Sequence, residues 1–446
     1  MPLSTWGSMG YMTEQKSAPQ GAARPAPPKG KILVLGGGIV GVTTAYSLLC
    51  RGFDVTLIER NSDVAEATSR ANAGLVSVGG SQPWNAPNVP LTVLKTLGRA
   101  DSPYLFRLRA FPAVIPWGLR FLMHCRTATY DRSCRASAEL VTYSLDRFGA
   151  LVDREGLRFD RQQNGVLKYF QDAGALAADH RSTAKLADAG LDFRQLSRDE
   201  TVALEPTLAP QADRIAGGLY FPKDESGDAS AFAKALAERC RALGATILTN
   251  TTISAIESSN GRISAVMTDR GALTADHYVL CAGPAAALLA RPLGLNLPIY
   301  PAKGYSVTIE TNGSIALPKV PFLDWGRKVC VTRFGNRIRA TGYAEFGGYD
   351  LSLTPSRIQT LHRSLIELFP ALEGATSIHE WAGLRPITPD GLPILGQSPI
   401  ENLFLNVGHG PQGWGLSAGC AAILADVITG RSPDVPIGSF AYSRNH

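Results

Sequence analysis

Residues 34–60 read VLGGGIVGVTTAYSLLCRGFDVTLIER, and no other stretch restricts the fold as strongly. Gly36, Gly38 and Gly41 form G-x-G-x-x-G. Before them Lys31 to Leu35 is short and apolar, as a buried parallel strand must be. After them Val42, Ala45, Leu48 and Leu49 recur at helical spacing, and Gly52 stands where a helix C-cap belongs. Asp54 to Ile58 reads as a second strand ending at Glu59. Each glycine has a mechanical reason. Gly36 permits the tight turn, Gly38 lets a pyrophosphate reach the backbone, and Gly41 lets the helix lie close on the strand. The helix N-terminus faces the phosphates, and Glu59 is placed to accept ribose hydroxyls. The expectation is a dinucleotide site, equally suited to NAD and FAD at this point.

The whole chain limits what surrounds that site. Its 446 residues suit two domains better than one. With 45% hydrophobic and 18% charged residues it has the composition of a globular enzyme. A net charge of +6 without a block of like charges gives no sign of nucleic-acid binding. The seven cysteines are scattered and never form CxxC, which suits free thiols in a reducing compartment. No apolar run is long enough to span a membrane. Residues 1–30, rich in Pro, Ala and Gly and without an apolar h-region, read as a disordered tail and not as a signal peptide.

Three later stretches favour FAD over NAD. ATSRANAG, residues 67–74, follows the second strand where an NAD enzyme would begin another helix. DHYVLCAGPAA reads as an apolar strand ending in a turn at Cys281, Ala282 and Gly283. NLFLNVGHGPQGWGLSAGCAAILADVITG repeats the opening logic: a strand from Leu403 to Val407, glycines 408, 410, 413 and 415, then a helix reaching Gly430. A second helix N-terminus there would favour negative charge on a reduced isoalloxazine. An ordinary loop before a packed helix is the plainer alternative.

On six stretches the chain resembles the FAD-dependent D-amino-acid oxidase and glycine oxidase superfamily, and within it the bacterial D-amino-acid dehydrogenases (catalytic, small subunit). These are ANAGLVSVGGSQPWNAPNVPL, GGLYFPKDESGD, YPAKGYSVTI, TRFGNRIRATGYAE, WAGLRPITPDGLPILG and NVGHGPQGWGLSAG. The likeness runs from about Lys31 to about Ser443; Gly37 replaces a residue often serine. It implies an α/β fold, α+β overall. A Rossmann-like FAD-binding domain (31–80, 225–290, 380–446) would be interleaved with an antiparallel-sheet substrate domain (81–224, 291–379). NGVLKYF, RIAGGLYFP, KGYSVTIE and NRIRATGYAEF alternate or run apolar as strands of such a sheet. The resemblance also implies noncovalent FAD contacts. Beyond the glycine turn these come from Ile39, Val40, Arg60, Ser69, Asn72, Ala73 and Gly74, and from Thr252 and Ile253 near the adenine. Ala282, Gly283, Gly383, Gly410, Gly413, Trp414, Gly415 and Leu416 complete the set.

The implied reaction is hydride transfer from the substrate Cα to flavin N5, followed by hydrolysis of the imino acid to a 2-oxo acid and ammonia. It demands orientation more than acid–base chemistry. The absence of HExxH, GxSxG and clustered metal ligands agrees with that, so no metal is expected. Arg385 in GLRP offers the fork that binds a carboxylate bidentately, as its counterpart does in the superfamily; an ion pair with Asp390 or Glu380 is the alternative. Tyr305 in KGYS stands as a second hydrogen-bonding candidate or a packing tyrosine. Lys303 beside it reads as a surface lysine by default, with the flavin as the other option, and His409 as a shaper of the flavin pocket. Family oxidases carry carboxylate-binding tyrosines near the strand at Val331 to Phe334, where this chain has none. Residues 104–126 mix rings, aliphatic bulk and Arg107, Arg109, Arg120 and Arg126. This suits either an interfacial segment or an ordinary helix of the substrate domain. The protein is expected in the cytoplasm, either free or peripheral on the inner face of the membrane. The resemblance to respiratory-chain dehydrogenases supports the interfacial reading and implies a quinone or another electron-transfer partner as acceptor. Other readings are a D-hydroxyproline dehydrogenase, a glycine or sarcosine oxidase, an NAD-dependent dehydrogenase, and a non-catalytic flavin-bearing subunit.

Overall fold

The computed structural model describes residues 29–96, 102–311, 313 and 315–445. The expected N-terminal tail, 1–30, lies outside these residues except for Lys29 and Gly30. Lys29 is already tied in, its N–H donating to the Gly52 carbonyl at 2.9 Å.

The strand Lys31–Leu35 is central to a six-stranded sheet because four of its five residues have no exposed surface. The order across that sheet is Ile394–Gln397, Leu403–Val407, His277–Leu280, Lys31–Leu35, Asp54–Ile58 and Thr246–Leu248. All neighbours are parallel except the first pair. Parallel neighbours need crossovers, and helices supply the cover on which such buried strands depend. Ile39–Cys50 follows the first strand, and Gly52 ends it at φ +86°. Ala229–Ala242 is capped by Asp228, whose carboxylate accepts from the Ser230 and Ala231 N–H groups. Ser417–Ile428 packs against Ile39–Cys50 and against Thr127–Glu155. That last contact is close: a Cβ at Gly419 would lie 2.7 Å from the Ser144 Cβ, and the Gly419 N–H donates to Ser144 Oγ at 2.9 Å.

A nine-stranded sheet forms the second layer. Its order is Ile378–Ile387, Tyr300–Glu310, Arg337–Phe346, Val329–Phe334, Phe322–Asp324, Val166–Phe170, Gly217–Phe221 and Arg194–Leu196, with Tyr104–Phe106 also pairing Arg337–Phe346. The pairs are antiparallel apart from two, one at Phe322–Asp324 with Val166–Phe170 and one at Tyr104–Phe106. The helix Pro355–Leu368 covers this sheet with Ile358, Leu361 and Leu365. All four sequence stretches expected to be strands here are strands. Two segments sit otherwise than their sequence neighbours. Thr127–Glu155 buries Phe148, Leu151 and Val152 in the core of the parallel layer, although 81–224 was expected to serve the substrate side. Ile378–Ile387 pairs in the antiparallel sheet across ten residues before the chain returns to the parallel one.

Within 104–126, the helix Phe111–His124 buries only Val114. Phe111, Ile115, Leu119, Leu122 and Met123 are exposed, as is Leu108 just before them. Arg107 pairs with Glu345 and Arg109 with Asp350, which leaves Arg120 and Arg126 as the unpaired arginines of the segment among the described residues. No described helix is long and apolar enough to cross a membrane.

Candidate active site

The C-terminal ends of the parallel strands and one face of the antiparallel sheet enclose a cavity of about 1390 Å³. Drug-sized ligands occupy roughly 300–1,000 Å³, so it has room for a large cofactor and a substrate together. Gly36, Gly38, Ile39, Val40, Glu59 and Arg60 line one end with Ser69, Asn72, Ala73 and Gly74. Thr252, Ile253, Ala282 and Gly283 lie along it, and Gly383, Gly410, Gly413 and Trp414 close the other side with Tyr305 and Arg385.

Three expected contacts do not reach the cavity wall. A Cβ on Gly41 would lie 1.8 Å from the Gly36 carbonyl oxygen, so this glycine serves helix–strand packing. Leu416 is 2% exposed and packs with Cys420 and Ile423 beneath the turn. A Cβ on Gly415 would lie 3.3 Å from Gln412 Oε1 and 3.7 Å from the Ser77 N. Glu59 lines the cavity, and its oxygens accept from the Gly37 N–H at 2.9 Å and from the Asn61 N–H and Nδ2 at 2.8 and 2.6 Å. The carboxylate therefore holds the glycine turn as well as facing the site.

At the opposite end, buried polar atoms stand without partners among the described residues: His409 Nε2, Trp414 Nε1 and Asn406 Oδ1, all on residues lining the cavity. Burial pushes the His409 imidazole down to about 3, so it is neutral. Orphaned buried groups of this kind cost about 1–3 kcal/mol each unless a ligand meets them. A backbone-walled glycine turn at one end and unmatched polar atoms at the other suit a nucleotide joined to a polar ring system.

Arg385 projects from Ile378–Ile387 into the same cavity. Its Nη1 donates to the Tyr343 carbonyl at 2.8 Å, and its guanidinium lies 5.6 Å from the centre of the Trp84 ring. It forms no ion pair among the described residues: Asp390 is taken by Arg444 at 2.8 Å, and Glu380 has no cation partner. Desolvation pushes its pKa down to about 10. Gly304 across the strand pair has a clear purpose, since a Cβ there would lie 2.4 Å from the guanidinium nitrogens. Tyr343, a bulky residue at φ +63°, adopts a left-handed backbone that such side chains rarely tolerate, and its carbonyl meets Arg385.

The neighbouring strand corrects the default reading of Lys303 and bears out the packing alternative for Tyr305. Lys303 is 1% exposed rather than a surface lysine; its Nζ meets Glu345 at 3.2 Å and the Ser352 carbonyl at 2.8 Å. Tyr305 lines the cavity but directs its hydroxyl to Glu345 at 2.5 Å and to Thr354 at 2.9 Å, and burial with this carboxylate raises its pKa. Its hydroxyl thus belongs to a buried charge cluster that steadies the wall. Residues the sequence reading missed are Trp84, Tyr343, Trp325 and Lys328. Trp84 and Tyr343 lie inside stretches carrying the family resemblance, and no sequence signal marked the other two.

The sequence matches the family described as FAD dependent oxidoreductase over residues 31–427, and the chain belongs to that family. FAD is the cofactor for which the cavity is built. More particularly, the chain is 39% identical over 414 residues to the D-amino acid dehydrogenase of Bradyrhizobium diazoefficiens, covering 93% of this chain and 98% of that protein. It is 40% identical over 409 residues to the D-amino acid dehydrogenase of Dechloromonas aromatica, covering 91% and 98%. Among solved structures, glycine oxidase from Geobacillus kaustophilus superposes with a TM-score of 0.71 at 24% identity, covering 93% of this chain and 98% of that one. L-proline dehydrogenase from P. horikoshii gives 0.73 at 21%, covering 94% and 98%. At these identities the structural likeness is one of fold.

Proposed function

We propose that this protein is a dehydrogenase that oxidatively deaminates D-amino acids to 2-oxo acids and ammonia. The observation that carries the reading is Arg385, a desolvated guanidinium in the cofactor cavity with no carboxylate of its own among the described residues. The D-amino acid dehydrogenases at 39% and 40% identity supply the substrate's handedness.

Bound FAD supplies the hydride acceptor. Arg385 binds the substrate carboxylate, with Tyr343 and Trp84 holding the guanidinium in place. The α-amine must be neutral for its carbon to release hydride; Asp179, the carboxylate lining the cavity beside Lys328, is already engaged by Lys168. The chain surrounds the cofactor with the glycine turn, the residues from Ser69 to Gly74, Thr252 and Ile253, and the turn containing His409, Gly410, Gly413 and Trp414. His409 Nε2 and Trp414 Nε1, unmatched among the described residues, would meet polar atoms of FAD. The cofactor is held noncovalently by 31–80, 225–290 and 380–446, with Thr127–Glu155 joined to that part, and 81–224 and 291–379 otherwise shape the substrate side. Anaerobic mixing with a panel of D- and L-amino acids, glycine, sarcosine and D-hydroxyproline tests the activity. Bleaching by D-amino acids is expected; bleaching by L-amino acids alone would overturn the reading. Denaturation should release all flavin into the supernatant.

The electrons pass to a quinone or another carrier at a membrane surface, which the protein meets from the cytoplasmic face through Phe111–His124. In support, Phe111, Ile115, Leu119, Leu122 and Met123 leave the helix largely unburied. Arg120 and Arg126 stand ready for lipid phosphates. Flotation with anionic liposomes should carry the holoenzyme, and salt should weaken it. Protein that stays at the bottom, with fast turnover on oxygen alone, would refute this arm.

A further inference from the structure

Four cations line the cavity: Arg60 at the glycine turn, Arg385, Lys168 and Lys328. Lys168 is neutralised by Asp179, Nζ to Oδ2 2.9 Å, both groups being buried. Arg385 and Lys328 have no ion pair among the described residues, although acids lie near Lys328. Asp179 is matched by Lys168. Asp324 is matched by Arg327 at 3.0 Å and also accepts hydrogen bonds from Tyr169 and Gln171. The Lys328 ammonium rests instead on the Trp325 ring, 2.9 Å from its centre, with Lys168 Nζ 4.8 Å from the same centre. Burial first, and then Lys168, lower its pKa to about 7 against the opposing pull of Asp179 and Asp324. Its backbone is held at φ +56° by the turn between two strands, a conformation lysine seldom adopts. The site thus holds an ammonium short of an anion at a forced backbone position, inside the same cavity as Arg385.

The sheet register places Lys328 beside the strand that steadies Arg385. Val329 pairs with Gly342, and a Cβ on Gly342 would lie 3.1 Å from the Lys328 carbonyl oxygen. The next residue, Tyr343, gives its carbonyl to Arg385. Lys328 therefore stands about one strand spacing, ~4.8 Å, from the strand that steadies the guanidinium. Two cations without an ion pair among the described residues, one a planar fork and one a point charge, line the same cavity and match a molecule with two carboxylates.

We infer that Lys328 receives the distal carboxylate of an acidic D-amino acid whose α-carboxylate lies on Arg385. This rests on the D-amino-acid reading and adds the substrate class: D-glutamate and its one-carbon-longer homologue D-2-aminoadipate are favoured over neutral isosteres, and cationic side chains are disfavoured. The holoenzyme with an artificial dye acceptor tests it through the ratio of kcat/KM for D-glutamate to that for D-glutamine. In wild type the ratio exceeds one and declines as pH rises through about 7, because kcat/KM reports the free enzyme and the ammonium is lost. Lys328→Met lowers the ratio at least tenfold, and Lys328→Arg keeps it within a few-fold of wild type. A ratio unchanged in Lys328→Met, or a wild-type ratio at or below one and flat with pH, overturns the inference. If Lys328→Met fails to fold, the wild-type pH profile decides alone. D-Norleucine separates the two levels. Its turnover without discrimination between D-glutamate and D-glutamine removes only the Lys328 assignment. No turnover of any D-amino acid removes the parent reading and this one with it.

Discussion

Replacing Arg385 with methionine removes the charge while keeping most of the side chain's bulk, and the structure sets what should follow. Among the described residues the guanidinium has one backbone carbonyl and no anion, and desolvation lowers its pKa from 12.5 to about 10. At 1.36 kcal/mol per tenfold change in proton affinity, that is about 3 kcal/mol of solvation the fold does not return. The sign is that of a base whose folded pKa is depressed. The penalty is fully present below about pH 10, including neutral pH, and disappears only as pH rises through the unfolded value. Ligand-free holoenzyme carrying Arg385→Met should therefore melt no lower than wild type. A substrate carboxylate changes the balance, since breaking a buried charge pair costs about 3–5 kcal/mol. At 1.36 kcal/mol per tenfold in rate, kcat/KM for D-amino acids should drop by roughly 10² to 10³ or more. Arg385→Lys should recover only part, because a point charge lacks the fork. Amino-acid amides, already poor substrates, should lose little further. The assay is dye-coupled turnover alongside thermal melts with and without the 2-oxo acid product, whose stabilising effect should vanish in the variant. Near-normal kcat/KM, or a lowered Tm with kcat/KM intact, would make the arginine a structural tie and place the clamp elsewhere.

Gly41→Ala should strip the cofactor, because its Cβ would collide with the Gly36 carbonyl; overpacking costs about 1–3 kcal/mol or more, and flavin absorbance of the purified protein checks it. Glu345→Gln should lower the unfolding free energy by about 3–5 kcal/mol in denaturant titrations, since Lys303 would keep its burial and lose its nearest anion. Burial acts to raise the Glu345 carboxyl, yet Arg107, Tyr305 and Lys303 outweigh it and hold its pKa low, so its stabilising effect is present above the ordinary carboxylate range and lost as pH falls through the lowered value. Asp224 behaves oppositely: complete burial raises its pKa to about 6 from 3.8, despite hydrogen bonds from Ser77 and from the Val78 and Gly79 N–H groups. The native state then binds the extra proton between those values, so wild type should lose stability as pH rises from about 4 to 6, by at most ~1.36 kcal/mol per pH unit. The difference between wild type and Asp224→Asn should show that slope, and a flat difference would refute it.

How much of this was legible in the chain follows from which contacts are local. The glycine turn, its strand and its helix lie within thirty residues, and their spacing states their geometry. The strand stretches alternate because one face of a sheet is buried, a pattern visible without knowing the partner strand. Lys303 shows the limit. Lysine beside KGYS looks exposed until Tyr300–Glu310 is flanked by Ile378–Ile387 and Arg337–Phe346, which buries it against Glu345. Arg385 was legible as a fork, but whether Asp390 would claim it depended on Arg444, far along the chain and back at the same turn. Lys328 carried no signal, since what singles it out is that every nearby acid already has another cation.

The strand Ile378–Ile387 has a last consequence. It is stitched to Tyr300–Glu310 over ten residues, and its end is bridged from Ile387 to His409 in the cofactor turn. Arg385, the proposed substrate anchor, and the turn at His409 are therefore tied through one strand, so motion between the two sheets should change the gap between them little. A lineage with this fold can remodel the far wall, where Trp325 and Lys328 stand, and acquire new substrates without retuning the distance over which hydride must travel. Changes in Ile378–Ile387 itself would shift anchor and cofactor together or break both, so mutational drift should be scarce there and common across the cavity.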